Sequence, residues 1–301
     1  MATRYDYLTL DVFTDRPFGG NPLAVVTDAR GLTTEQMQAI AAEFNYSEST
    51  FVLPPDDATH TARVRIFNRT SEMPFAGHPN VGTAFALGLL AERSGRSVGA
   101  SVVFEELAGL VPVELMRDAT GRLLGATLTA PQPVALGDTV PAAIVAPCVG
   151  LAVSDIVTSR HEPLHASVGL AFVIAEVTGD ALTRAKPLIS AFADAVRRFP
   201  GRFPVHLYAR AAGAGLRARM FAPLSGTIED PATGSANAAL AGLLATLAPE
   251  ADLTLQLEIL QGVEMGRPSM LAVTADKQRG AVTRVRVGGR CVPLMEGTLT
   301  V

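Results

Sequence analysis

Two short stretches of the chain combine acid/base side chains with turn-forming residues. The first copy is Glu72–Asn80 (EMPFAGHPN), and the second copy, 157 positions later, is Glu229–Asn237 (EDPATGSAN). Both read Glu-x-Pro-x-x-Gly-x-x-Asn, which is four identities in nine positions. The unshared positions carry side chains that can move or orient a proton: His78, Asp230 and Ser235. The shared residues therefore indicate a turn, and the unshared ones indicate acid/base chemistry.

The elements around the two copies also repeat. A strand-like segment precedes each copy, Arg63–Phe67 in one case and Arg217–Phe221 in the other, and an apolar run of small residues follows. This pattern predicts a duplicated strand–turn–helix unit. The first amides of a helix are unpaired and partly positive, so two helix ends brought face to face would suit a carboxylate. Spacing alone also allows His78 and Ser235 to be simple helix caps.

Length and charge narrow the class of protein. A chain of 301 residues with an internal duplication favours two domains. A net charge of −4 gives no indication of nucleic-acid or anionic-membrane binding. The most apolar run, 236–248, is too short to span a bilayer and predicts a helix buried on all sides. The first residues lack a basic-then-apolar leader, and Cys148 and Cys291 fit a reduced compartment, so we expect a cytoplasmic protein.

Periodicity along the chain predicts a mixed α and β pattern with many strands. A linker is expected at 130–133, and 258–262 resembles 105–109, which would extend the duplication beyond the turn. The expected strands are 5–13, 22–26, 49–53, 63–67, 102–115 as a hairpin, 166–177, 204–209, 253–260, 270–274, 282–287 and 292–301. The expected helices begin at 33, after each copy of the turn, and at about 187.

One pattern suggests a metal site and is discounted. His161–His165 (HEPLH) matches the His-Glu-x-x-His arrangement of zinc proteases, which needs a continuous helix to place both imidazoles on one face. Pro163 breaks a helix at this point, and the residues that follow alternate as a strand. We expect a loop leading into a strand, and no metal.

Four motifs together resemble the PhzF family of phenazine-biosynthesis isomerases. They are the two copies of the turn, Asp11–Pro22 (DVFTDRPFGGNP) and Asn45–Phe51 (NYSESTF). The resemblance covers essentially the whole chain. It implies an α+β fold of two pseudo-twofold-related domains similar to diaminopimelate epimerase, each a barrel-like β-sheet around a central α-helix. The implied domains are 1–127, completed by a C-terminal strand 288–301, and 128–287.

The resemblance also implies the site and the reaction. Glu48 matches the family's catalytic glutamate, with further catalytic positions at His78, Asp230 and Ser235. The implied substrate-binding residues are Gly77, Pro79, Asn80, Gly234 and Ala236. The family's founding reaction isomerises trans-2,3-dihydro-3-hydroxyanthranilate by proton transfer without a cofactor. For this chain the resemblance implies a cofactor-independent isomerase acting on a small carboxylate-bearing molecule, in a homodimer.

Other classes of function compete with this interpretation. A protein of the same fold that binds a small molecule or acts as a scaffold, without turnover, would keep the same pocket. A two-thiol racemase is disfavoured because neither copy of the turn contains a cysteine. Nucleotide enzymes are disfavoured because the chain lacks both glycine-rich phosphate-binding patterns.

Overall fold

The computed structural model describes residues 2–96, 98–199, 203–211 and 215–301 and divides the chain into two units. Unit 1 consists of the residues up to Thr129 together with Gly288–Val301, and unit 2 is Ala130–Val287. The boundary expected from the sequence lay after residue 127. Unit 1 is discontinuous in sequence, because the last residues of the chain belong to it.

Unit 1 alternates strands with two helices in its described residues. In chain order its elements are β1 (Arg4–Val12), β2 (Asn21–Val26), α1 (Thr34–Phe44), β3 (Glu48–Leu53), β4 (Ala62–Asn68), β5 (Glu72–Met73), α2 (Gly77–Arg93), β6 (Ser101–Glu106), β7 (Gly109–Arg117) and β8 (Leu123–Thr129).

Unit 2 follows a related order with additional short helices. Its elements are β9 (Ala135–Thr139), α3 (Ala142–Cys148), β10 (Ile156–Val157), β11 (Leu164–Ser167), β12 (Ala171–Val177), α4 (Gly179–Arg184), α5 (Ile189–Arg198), β13 (Val205–Arg210), β14 (Leu216–Ala222), β15 (Thr227–Asp230), α6 (Gly234–Leu247), β16 (Leu253–Gln261), β17 (Ser269–Gln278) and the start of β18 (Ala281–Thr300). The rest of β18 lies in unit 1.

The strands of unit 1 close into an eight-stranded barrel. Antiparallel pairs join β1 to β2, β3 to β4, β6 to β7 and β7 to β8, while β2–β3 and β4–β6 are parallel. Strand β18 pairs with β8, and its final part pairs with β1 in antiparallel register, from Val12 opposite Cys291 to Arg4 opposite Thr300. The predicted α+β fold class is confirmed.

Unit 2 repeats the central part of this order. The parallel pairs β12–β13 and β14–β16 correspond to β2–β3 and β4–β6, and the antiparallel pairs β13–β14 and β16–β17 correspond to β3–β4 and β6–β7. A short strand, β5 or β15, pairs with β4 or β14 just before each central helix. The duplication inferred from the two copies of the turn therefore extends through the surrounding strands.

Each unit has one helix that is buried along most of its length. Residues 77–86 of α2 and 234–243 of α6 are buried without interruption. Small residues allow the strands to approach: a Cβ on Gly82 would lie 2.5 Å from Leu23 Cδ2, and one on Gly242 would lie 2.3 Å from Val134 Cγ2. A helix apolar on all sides must be enclosed. The expectation of a buried helix in the second half is therefore confirmed for residues 234–243, whereas Thr246 and Leu247 near its end are exposed.

The last strand differs from the sequence expectation. The pattern predicted two strands, 282–287 and 292–301, but β18 runs unbroken from Ala281 to Thr300. Gly288 lies in the gap between those two predicted strands and allows β18 to cross close to β8. A Cβ on Gly288 would lie 2.4 Å from Thr127 Oγ1, and one on Gly125 would lie 2.0 Å from Gly289 O.

Several elements were not anticipated from the sequence. They are β8, β9, α3, β10 and α4, and the expected strand 166–177 is divided into β11 and β12. Helix α3 was not predicted because it contains Pro147, a residue that disfavours helix interiors. None of the described helices combines the length and apolar character needed to cross a membrane.

A substitution at Gly125 tests the close crossing of β8 and β18. In Gly125→Ala the added methyl would meet the Gly289 carbonyl, a backbone atom that cannot rotate away. We expect the free energy of unfolding in urea to fall by about 3 kcal/mol, a cost at the upper end of usual overpacking. Gly179→Ala is the matched control, because nothing lies within 4 Å of its Cβ position. Equal stability of the two variants would contradict the close crossing.

Candidate active site

Three motif segments of unit 1 bring Glu48 and His78 together. Helix α1 ends at Phe44, and the left-handed backbone of the following Asn45 (φ 55°) turns the chain so that β3 begins at Glu48. His78 is the second residue of α2, and Asn21 begins β2. His78 Nδ1 lies 3.1 Å from Glu48 Oε2 and 3.4 Å from Asn21 Nδ2. The side chain of His78 is 4 % exposed and that of Glu48 is 20 % exposed, so the pair is largely shielded from water.

The buried environment of His78 determines the protonation state of the Glu48–His78 pair. Burial lowers the pKa of His78 to about 3, against an opposing contribution from the Pro22 carbonyl. The imidazole is therefore neutral at physiological pH, in agreement with the expectation for a histidine at a helix N-terminus. Either Nδ1–H donates to a Glu48 carboxylate, or a Glu48 carboxylic acid donates to Nδ1. In both arrangements a single proton lies between Nδ1 and Oε2.

In unit 2 the corresponding turn holds a carboxylate and a hydroxyl. Asp230 ends β15 and is 7 % exposed, and its Oδ2 accepts a hydrogen bond from Thr233 Oγ1 at 2.6 Å. Ser235 is the second residue of α6 and is 8 % exposed. Ser235 therefore occupies the position in its helix that His78 occupies in α2.

An ion pair that sequence reasoning missed anchors each turn to the preceding strand. Arg65 Nε and Nη2 each donate to a carboxylate oxygen of Glu72 at 2.7 Å. Arg219 makes the same bidentate contact to Glu229, at 2.8 and 2.9 Å. The shared glutamate thus fixes where each turn leaves its strand. The repeated Arg-x-Arg-x-Phe pattern of the two strands is the sequence feature that could have predicted this ion pair.

The phenylalanine of that repeat supports the same guanidinium. Arg65 lies over the ring of Phe67, 5.1 Å from its centroid, and Arg219 lies over Phe221 at 4.9 Å. Such stacking leaves the edge of the guanidinium available to the glutamate.

The shared asparagine closes the first turn of each helix. Asn80 Nδ2 donates to the Ala76 carbonyl, and Asn237 Nδ2 donates to the Thr233 carbonyl, both at 3.0 Å. Both asparagines are fully buried, as is Ala236. Of the other predicted binding residues, Gly77 and Gly234 are the first residues of α2 and α6, and Pro79 is the third residue of α2.

A buried chain of hydrogen bonds fixes the turn of unit 2. Burial lowers the pKa of His206 to about 4, and its Nε2 donates to Asn237 Oδ1 at 3.2 Å. Asn237 Nδ2 donates to Gln261 Oε1 at 2.7 Å, and Gln261 Nε2 donates to the Asp230 carbonyl at 2.8 Å. His206 and Gln261 lie in strands outside the motifs, so the sequence did not indicate them.

Strand register corrects one alignment made from the sequence. The parallel pairs place Arg63 beside Glu105 in unit 1 and Arg217 beside Leu260 in unit 2. Glu105 therefore corresponds to Leu260, and the expected match between 105–109 and 258–262 is wrong by two residues. One position further along, Glu106 corresponds to Gln261.

The two cysteines are unsuited to racemase chemistry. Cys148 and Cys291 are buried free thiols outside both copies of the turn. Burial raises the pKa of Cys148 to about 11 and also raises that of Cys291. Thiols held in the protonated form are poor nucleophiles and poor bases at neutral pH.

The His-Glu-x-x-His pattern is a loop followed by a strand, as expected from Pro163. Both ring nitrogens of His161 are engaged, Nδ1 with the Glu162 carbonyl and Nε2 with Tyr208 Oη, each at 2.8 Å. His165 lies in β11. Within the described ranges, no group of three or more His, Cys, Asp or Glu side chains is arranged to hold a metal ion.

Comparisons with known proteins agree with this architecture. A family model described as "Phenazine biosynthesis-like protein" (PhzC-PhzF) matches residues 10–297. An uncharacterized isomerase of Mesorhizobium japonicum is 40 % identical over 99 % of both chains. A trans-2,3-dihydro-3-hydroxyanthranilate isomerase of Pseudomonas aeruginosa is 39 % identical over 97 % of this chain and 98 % of its own.

A solved structure extends the likeness to three dimensions. The PhzF-family phenazine biosynthesis protein of Bacillus anthracis has a TM-score of 0.87 and 27 % identity, over 99 % of this chain and 100 % of its own. Together with the family match along nearly the whole chain, these relatives decide the assignment. The chain belongs to the phenazine biosynthesis-like (PhzC-PhzF) family and is an isomerase of that family.

Proposed function

We propose that this isomerase moves a proton between two carbon atoms of a small carboxylate-bearing substrate, with Glu48 as the acid and base. The observation that carries the proposal is the Glu48–His78 pair, in which a buried imidazole lies 3.1 Å from a largely shielded carboxyl group. Relatives at 37 to 39 % identity are named for isomerisation of trans-2,3-dihydro-3-hydroxyanthranilate. We propose a substrate of that class.

The steps follow from the chemistry of the pair. As a carboxylate, Glu48 accepts a proton from a substrate carbon when the C–H bond breaks. His78 Nδ1–H donates to the carboxylate in this state. Glu48, now a carboxylic acid, returns the proton to a second carbon, which shifts the double bond and leaves the enzyme unchanged. The unpaired first amides of a helix supply a partial positive charge for the substrate carboxylate and for charge that develops during transfer.

The second copy of the turn contributes Asp230 and Ser235 in our proposal. Each copy presents a helix N-terminus, and the second carries a buried carboxylate fixed by Thr233. That both copies act on the same substrate molecule remains a prediction from the sequence. We propose that Ser235 orients the substrate, with Gly77 and Gly234 offering backbone amides. No cofactor enters the scheme, because the glutamate itself carries the proton.

Glu48→Gln tests the acid/base role directly. The amide keeps the size and hydrogen bonding of the side chain but cannot exchange a proton. With trans-2,3-dihydro-3-hydroxyanthranilate in deuterated water, we expect at least about a 100-fold loss of turnover and of deuterium incorporation, while binding by calorimetry persists. Glu43→Gln is the matched control, since Glu43 is exposed on α1 of the same unit. Near-normal turnover in Glu48→Gln would exclude the role, and substrate binding without turnover in the wild type would indicate a binding protein.

A double variant tests whether the two copies serve one reaction. We expect Ser235→Ala to lower kcat roughly 100-fold, the usual cost of removing one orienting donor. Residues that act as a unit are not additive, so Glu48→Gln/Ser235→Ala should lose little more than Glu48→Gln alone. Ser225→Ala, an exposed serine of unit 2, is the control. Unchanged turnover in Ser235→Ala would count against a shared substrate.

Metal removal provides a further test. We expect turnover to survive dialysis against a chelator, because Glu48 supplies the proton transfer without a Lewis acid. Elemental analysis should find no stoichiometric zinc, since both ring nitrogens of His161 already have hydrogen-bond partners. Loss of activity on chelation, restored by a divalent metal, would overturn the cofactor-independent scheme.

A further inference from the structure

A carboxyl group outside the catalytic set is buried near the first turn of α2. Glu106 is the last residue of β6, and both of its carboxyl oxygens are enclosed and make no hydrogen bond within the described part of the chain. The Asn80 side chain lies beside this carboxyl. The Asn80 carbonyl oxygen, Oδ1, is also buried without a hydrogen-bond donor among the described residues. Two polar groups at the start of α2 are therefore unsatisfied.

The equivalent position in unit 2 shows what this place in the fold requires. Gln261 corresponds to Glu106 by strand register and makes four hydrogen bonds. Its Oε1 accepts from Asn237 Nδ2 at 2.7 Å and from Thr233 N at 3.2 Å. Its Nε2 donates to the Asp230 carbonyl at 2.8 Å and to Thr233 Oγ1 at 3.1 Å. The position therefore calls for a side chain that both accepts and donates.

Counting hydrogens shows which form of Glu106 meets that requirement. In unit 2, His206 donates to Asn237 Oδ1, but the residue at the corresponding register position in unit 1 is Thr50, which pairs with Thr83 Oγ1 at 2.8 Å. The Asn80 carbonyl therefore lacks the donor that Asn237 has. A carboxylate at Glu106 would add only further acceptors, whereas a carboxylic acid adds one O–H donor and retains an acceptor.

We propose that Glu106 is a positioning residue that works as a neutral carboxylic acid, in the role of Gln261 in unit 2. In this form it holds the first turn of α2, and with it His78, in place. Its ionisation weakens the binding of an anionic substrate. The consequence for binding rests on the proposed function, whereas the protonation state of Glu106 rests on the structure of the two corresponding positions.

The electrostatic surroundings agree with a neutral group. Burial raises the pKa of Glu106 to about 8, and the Asn80 amide opposes this rise. The titratable groups on the neighbouring elements are engaged elsewhere: Arg63 with Asp56, Glu105 with His60, Arg65 with Glu72, and His78 with Glu48. Above pH 8 a carboxylate would stand beside the first turn of α2. Its negative charge would oppose the positive potential of that helix end.

Thermal stability tests the protonation state without any substrate. The folded pKa of about 8 lies above the usual carboxyl value of 4.5, so the folded protein keeps a proton that the unfolded chain releases. Wild-type stability should therefore fall as pH rises from 4.5 to 8 and then level off. Glu106→Gln lacks this linkage, so its Tm relative to wild type should rise over that range. Glu114→Gln, an exposed glutamate on β7, should show a constant difference.

A second variant separates the effect of the hydrogen bonds at position 106 from the effect of the Glu106 charge. Glu106→Met removes the carboxyl and offers no hydrogen bond, so it should lose the same pH linkage but have a lower Tm than Glu106→Gln at every pH. A pH-independent Tm difference between wild type and Glu106→Gln would overturn the proposal. Equal stability of the Gln and Met variants would overturn the hydrogen-bonding role.

Binding of anthranilate tests the consequence for the site. Measured by calorimetry at pH 6.5 and pH 9, wild-type affinity should fall at the higher pH by roughly fivefold or more beyond the fall in Glu106→Gln. An equal fall in both proteins would overturn the link to anion binding. If anthranilate fails to bind the wild type at either pH, that link fails together with the proposed substrate class. Binding without turnover of the dihydro substrate would count against the proposed function alone.

Discussion

Helices α2 and α6 both begin at buried positions. The need to satisfy the polar groups of these buried first turns determines how the site is built. The first amides of α2 and α6 have no partners within their own helices, and polar groups buried with them cannot rely on water. The turn before each helix is therefore built from residues that pair with one another. A bidentate arginine fixes the glutamate, and the asparagine bonds back to the carbonyl four residues earlier. His78 and Ser235 are presented on this rigid frame.

The two copies of the turn present different reactive side chains at corresponding positions. Strand register makes Glu48 the counterpart of Pro204, since Ser49 lies opposite Phe67 as Val205 lies opposite Phe221. The second copy has Asp230 where the first has Met73. Unit 1 therefore carries the glutamate–histidine pair, and unit 2 carries a buried aspartate and a buried serine. The arginine–glutamate pair and the asparagine bond are the same in both turns, and the differences lie in the other side chains around them.

The sequence predicted the duplicated turns because their nine-residue pattern is local and contains proline and glycine, whose backbone demands are specific. It could not predict the partners of the turn residues. Gln261 and His206 reach the turn from other strands, and only the pairing register places them there. It also predicted two strands, with a gap at 288–291, where β18 is continuous. Glycines that allow strands to approach closely also weaken the strand pattern of the sequence. Helix α3 escaped notice since Pro147 lies within it.

The long strand β18 has a consequence for how the chain folds during synthesis. Residues 288–300 complete the barrel of unit 1 by pairing with β1, so contacts such as Arg4 with Thr300 join points nearly the whole length of the chain apart. On a ribosome, unit 2 has nearly all its residues before the barrel of unit 1 can close. Until then β1 and β8 are exposed strand edges, which are the surfaces most open to pairing with other nascent chains. The first unit to be made is thus the last to be finished, and its incomplete barrel is the stage at which a chaperone would be of most use.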